Sequence, residues 1–118
     1  ITAKELCKQP LIFRELGSGT RVVVERTLAR KGLYPKPIMT LGSTEAIKRA
    51  VAAGMGFGIV SNLTIAFEIA AHRLGVLPVS DLTFCRPLHL LSLRGRHPDP
   101  SVKSFLTLLE KHLSKTKK

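Results

Sequence analysis

Tryptophan is absent from this chain, tyrosine occurs once and cysteine twice. Cys7 and Cys85 stand far apart in 118 residues, so they make no disulfide framework. Both read as free structural thiols, a usage that fits a reducing compartment and a cytoplasmic location. Histidine is sparse too. His72, His89, His97 and His112 show no ligand spacing with one another or with the cysteines, whereas a zinc site needs clustered pairs; no metal is expected. Acidic residues number 8, are scattered, and fall mostly on predicted helix surfaces. No serine lies in a G-x-S-x-G elbow, because Gly17-Ser18-Gly19 has the wrong spacing. No catalytic constellation is visible, so neither an enzyme nor a cofactor is expected. No apolar run is long enough to span a bilayer, and the opening ITAKELCKQ has no apolar core of a signal peptide.

What is abundant is positive charge. Nineteen lysines and arginines give a formal net charge of +11. A nucleic-acid-reading face needs those charges clustered and interleaved with aromatic rings. Here they are spread along the chain with acids between them, and only the tail, with Lys111, Lys115, Lys117 and Lys118, is dense. Phe13, Phe57, Phe67, Phe84 and Phe105 lie in apolar runs and read as core. The basic balance therefore reads as a solvated surface. Hydrophobic residues make up 44%, which argues for a folded domain.

The chain is organised around Leu41 to Ser61, LGSTEAIKRAVAAGMGFGIVS. Ser43 suits an N-cap, since its hydroxyl can accept from the unpaired amides of a first helical turn. Ala46, Ile47, Ala50 and Val51 recur on one helical face, with Lys48 and Arg49 assigned to the opposite one. Gly54 ends the helix, as glycine takes the left-handed conformation without strain. Phe57 to Val60 reads as a strand buried on both sides. The glycines at 54, 56 and 58 do not form a dinucleotide loop, which needs the strand before them and the helix after.

Before this stretch, Thr2 and Glu5 form a capping-box pattern for a short helix that Pro10 ends. Leu11 to Arg14 reads as a strand, followed by Leu16-Gly17-Ser18-Gly19-Thr20 and a helix to about Lys31. That loop suits a plain turn and an anion nest equally, and both stay open. Ile38 to Leu41 makes a second strand. After it, the pattern predicts a helix over 63–70, an edge-like strand over Val76 to Val79, and a strand over Leu88 to Leu93. Asp99 and Pro100 open an amphipathic helix bearing Val102, Phe105, Leu106, Leu109 and Leu113. Strands alternating with helices predict an α/β layer fold with a mostly parallel sheet, whose ligands sit at the carboxyl ends of strands. The helix N-termini there are natural places for small anions.

Three pieces carry a resemblance: LIFRELGSGTR at 11–21, LGSTEAIKRAVAAGMGFGIVS at 41–61, and RPLHLLSLRGRHPDPSVKSFLTLLEKHL at 86–113. In these and in their spacing the chain resembles the C-terminal effector-binding domain of LysR-type transcriptional regulators. The resemblance implies a type II periplasmic-binding-protein-like fold, a mixed, mostly parallel sheet flanked by helices. It implies that residues 1–118 are part of that domain. Residues 9–83 would be its second subdomain, 86–113 a strand and helix returning to the first, and 114–118 a basic tail. The family's effector lies in a cleft between subdomains. Its wall here would come from Gly17, Ser18, Gly19 and Thr20, from Leu41, Gly42 and Ser43, and from Val60 and Ser61. The implied partner is a small organic acid or inorganic anion. DNA would be bound only through an N-terminal helix-turn-helix that these residues do not include, and the implied assembly is a homo-oligomer away from membranes. Where the family usually has a proline after the third strand, this chain has Ser61 and Asn62. Two other readings compete. An extracytoplasmic solute-binding protein of the same fold would carry a signal peptide upstream of Ile1. A stand-alone basic nucleic-acid-binding module would show steep salt dependence.

Overall fold

The computed structural model of the chain describes residues 1–87, 89–95 and 98–115. The elements run α1 (Ala3–Leu6), β1 (Leu11–Arg14), α2 (Gly19–Ala29), β2 (Met39–Leu41), α3 (Thr44–Ala52), β3 (Phe57–Gly58), a 3-10 turn (Asn62–Thr64), α4 (Ala66–Ala70) and α5 (Pro100–Lys115). The three strands form one parallel sheet in the order β2-β1-β3. Ile12, Phe13 and Arg14 sit opposite Met39, Thr40 and Leu41, while Leu11 and Ile12 sit opposite Phe57 and Gly58.

β1 is central, and its side chains alternate between two apolar layers, as a pleated strand requires. Leu11 and Phe13 join Leu6, Val24 and Leu28 on one face. Ile12 joins Ile47 and Ala50 on the other. Helices thus cover both faces, so β1 carries no polar side chain until Arg14 at its carboxyl end. The same burial explains α2, which stays helical through Val22, Val23 and Val24 despite their poor propensity. Packing of Val24 and Leu28 against β1 outweighs the local preference.

Local signals set the element ends. Thr2 and Glu5 form the reciprocal capping box, with Glu5 Oε2 accepting from the Thr2 amide at 2.7 Å and Thr2 Oγ1 accepting from the Glu5 amide at 3.3 Å. α3 ends in a Schellman motif: Gly54, at φ +75°, donates to the Val51 carbonyl and Met55 to that of Ala50. Asp81 fastens the far end of the sheet layer, accepting from the Ala3 amide at 2.7 Å and from Lys31 Nζ at 3.1 Å.

Five expectations are corrected. Among the described residues β3 is an edge strand of two residues with a neighbour on one side only, and Phe57 is 37% exposed. The expected helix over 63–70 divides into the 3-10 turn and α4, interrupted at Ile65 with φ −118°. No strand forms at Val76 to Val79; Pro78 has no amide to offer a ladder, and its carbonyl instead accepts from the Ile1 amino group at 3.0 Å, with Ser80 N just beyond donating to the Ile1 carbonyl at 2.9 Å. Of the strand expected over Leu88 to Leu93, Leu88 lies outside the described residues and 89–93 form no regular element. Lys48, expected on the solvent face of α3, is only 9% exposed, because two carboxylates compensate its charge.

The chain divides into two compact units, Ile1–Pro87 and Leu88–Lys118. The second is built on α5, whose first turn is capped by Asp99 Oδ1 accepting from the Val102 amide at 3.0 Å, with Pro100 at the first helical position. The end of the lysine tail, residues 116–118, lies outside the described residues.

Candidate functional site

Parallel strands point their carboxyl ends the same way, so the segments that follow β1, β2 and β3 gather along one edge of the sheet. All nine residues singled out from the sequence lie on these three segments or the helical turns they open: Gly17, Ser18, Gly19 and Thr20 after β1; Leu41, Gly42 and Ser43 at the end of β2; Val60 and Ser61 after β3.

The first segment turns tightly, with Ser18 N donating to the Glu15 carbonyl at 3.2 Å and Gly17 at φ +88°. Ser18 is the N-cap of α2, yet its hydroxyl makes no capping hydrogen bond. The amides of Gly19, Thr20 and Arg21 have no carbonyl within the helix to donate to, since they belong to its first turn. In the second segment Ser43 does cap: its hydroxyl oxygen accepts from the Ala46 amide at 3.1 Å. One lone pair of that oxygen is committed to the helix, and its proton is left to donate elsewhere. In the third, Ser61 caps the 3-10 turn through its backbone, its carbonyl accepting from Thr64 N at 3.0 Å and Thr64 Oγ1 at 2.7 Å. Its hydroxyl makes no capping bond.

Three arginines complete the edge, and the sequence patterns did not select them. The Arg14 guanidinium grips Glu15 through two parallel bonds of 2.7 and 2.8 Å and donates to Thr44 Oγ1 at 3.1 Å. This joins the end of β1 to the first turn of α3. The pairing holds the Glu15 carboxyl below its ordinary range and raises Arg14, in both cases chiefly through the hydrogen bonds between them. Arg21 donates to the Arg14 carbonyl at 3.0 Å, pairs with Glu25 at 2.7 Å and lies 5.7 Å from the centroid of the Phe13 ring. Arg86 returns from the far end of the unit to lay its guanidinium against Gly19. Glu15 cancels Arg14, and Arg86 is left as net positive charge beside the open first turn of α2. Only the return of residue 86 to residue 19, a contact far apart in sequence, reveals this.

A family model described as the LysR substrate binding domain matches residues 1–114. The chain belongs to this family. It is 38% identical over 112 residues to the HTH-type transcriptional regulator CbbR of Xanthobacter flavus, covering 94% of this chain and 34% of that protein. It is 33% identical over 112 residues to the HTH-type transcriptional activator CmpR of a Synechocystis strain, covering 95% and 37%. Among solved structures, the regulatory domain of Synechocystis CcmR in complex with 2-PG matches with a TM-score of 0.81 and 33% identity, over 92% of this chain and 52% of that one. The fold is thus that of the LysR substrate-binding domain, periplasmic-binding-protein-like of type II. The chain spans about a third of the length of these relatives. They are transcriptional regulators by name, and no helix among the described residues is long and apolar enough to cross a membrane.

Proposed function

We propose that this LysR substrate-binding chain senses a small anionic effector at the edge formed by Gly17–Thr20, Leu41–Ser43 and Val60–Ser61. One observation carries the reading: a domain that matches 92% of this chain at a TM-score of 0.81 was solved bound to 2-PG, 2-phosphoglycolate, a small anion. The local chemistry supports it. Free first-turn amides of α2, the uncommitted hydroxyls of Ser18 and Ser61, and the Arg86 guanidinium are the donors an anion requires.

In this reading residues 9–83 are the second subdomain of an effector domain, and 86–113 return to a first subdomain that supplies the other wall of the cleft. An effector alters the regulator only by binding two arrangements of these subdomains with different affinity. DNA is contacted by a separate helix-turn-helix in a cytoplasmic homo-oligomer, and the domain senses rather than catalyses.

Calorimetric titration of the intact protein with 2-phosphoglycolate, inorganic phosphate and simple carboxylates tests this. Saturable binding of at least one anion, weakened when Arg86 is replaced by Gln, is the expected result. Absence of binding by every anion sinks the proposal.

A further inference from the structure

Lys48 is the one charged residue in the core of the described chain. It lies on α3 one position after Ile47, whose Cγ2 packs so closely on Gly58 that β3 has no room there for a Cβ. The ammonium group has three hydrogens, and each has a partner. Nζ lies 2.6 Å from Glu45 Oε1 on its own helix, 2.6 Å from Glu68 Oε1 on α4, and 3.1 Å from the Thr64 carbonyl at the end of the 3-10 turn. Thr64 passes the connection on, donating its hydroxyl to the Ser61 carbonyl at 2.7 Å. The route from the core to Ser61 is thus two side chains long.

The segment it reaches has little else to hold it. Leu63 and Phe67 are exposed, and neither the 3-10 turn nor α4 contributes a buried residue. Ile59 and Val60 pack against the two apolar layers and hold the chain up to Ser61; beyond it no residue of the turn or of α4 is fully buried, and polar bonds supply the rest. Glu68 Oε2 is buried without a hydrogen-bond partner, which makes Glu68 depend on Lys48 for compensation of its charge.

We propose that Lys48 is a positioning residue for the third segment of the site: through Thr64 and Glu68 it sets where Ser61 stands relative to the other two segments. This rests on the effector reading above. Lys48 does not touch the effector. It fixes the 3-10 turn so that the Ser61 hydroxyl is already in place when an anion arrives, and such preorganisation raises affinity by removing an ordering cost.

The test uses the intact protein with Lys48→Met and, separately, Thr64→Val. The second variant keeps the Thr64 carbonyl and removes only the hydroxyl link to Ser61, at an exposed position where folding is not at stake. Two readouts are needed: amide hydrogen exchange over residues 61–65 without ligand, and calorimetric affinity for 2-phosphoglycolate. The expected result in both variants is exchange about tenfold faster over 61–65, unchanged exchange in β1, and affinity about tenfold weaker. Exchange at the wild-type rate overturns the proposal. So does faster exchange with unchanged affinity, which makes Lys48 a structural staple only. If Lys48→Met does not fold, Thr64→Val decides. If the wild-type protein does not take up 2-phosphoglycolate, the effector reading fails for that anion, and the exchange data alone decide whether Lys48 holds the segment.

Discussion

The Arg86 guanidinium carbon lies 3.1 Å from the point where a Cβ on Gly19 would stand. Glycine at the first position of α2 lets this cation approach the helix end, against the unfavourable sign of the helix dipole there. An anion bound between them, as proposed above, would resolve that conflict. Gly19→Ala is therefore expected to fold normally, since the obstructed atoms belong to a flexible side chain and alanine is the better helix former. Its affinity for 2-phosphoglycolate should nevertheless fall several-fold, and that of Arg86→Gln by about tenfold or more, the scale of a lost charge-assisted hydrogen bond. Calorimetry beside a thermal melt checks both halves. A Gly19→Ala protein that binds as tightly as wild type removes Arg86 from the site.

Gly56 is expected to tolerate no side chain at all. Its φ is +155°, and a Cβ there would run into the Pro10 carbonyl. That same carbonyl accepts from the Phe57 amide at 2.8 Å, the bond that opens the pairing of β3 with β1. Gly56→Ala must therefore strain the backbone or break the pairing, at a cost of about 2 kcal/mol or more. Gly54→Ala, in open space at φ +75°, carries the conformational penalty alone and should cost less. Denaturant melts of the two variants should keep that order.

The difference between those glycines marks where the sequence is readable. Gly54 follows a helical pattern and could be recognised as its stop, and the caps at Thr2, Ser43 and Asp99 follow from neighbours three residues away. The parallel sheet and the shared edge at its carboxyl ends also follow, because strand–helix alternation admits few arrangements. Other features were hidden because they depend on distant partners. Lys48 looked solvated until Glu68 of α4 met it. Phe57 looked doubly buried because its apolar run does not reveal an edge position. The three loops were legible as helix entrances, whereas Arg14 and Arg86 entered the site through contacts that no local pattern encodes.

Acid should loosen the contacts that Asp81 makes. Its carboxyl is held below the ordinary range, first by the Ala3 amide and then by the Lys31 ammonium. A carboxyl with a folded value below its unfolded one stabilises the fold above the unfolded value. That contribution fades as pH drops through the folded value. Asp81 should therefore support the fold fully at neutral pH and lose its contribution below about pH 4, the ordinary aspartate range. Asp81→Asn should be less stable than wild type at pH 7, and the gap should narrow as pH falls toward 2. Thermal melts across that range measure it; a constant gap denies Asp81 this role.

The two apolar layers should differ in what they do for the site. Leu28 and Ile47 are both fully buried, Leu28 in the layer beneath α2 and Ile47 in the layer beneath α3. Truncating either to alanine removes a similar volume, so each variant should lose about 2–5 kcal/mol of stability. Only Ile47, however, packs on Gly58, two residues before Val60 and three before Ser61. A cavity there frees β3 to shift toward α3, carrying the third segment away from the first two. At a temperature well below both melting points, Ile47→Ala should therefore bind 2-phosphoglycolate more weakly than Leu28→Ala, although the two have lost comparable stability. Titration at matched fraction folded separates the effects. Equal affinities would mean that the site does not depend on where β3 lies, and would take Ser61 out of it.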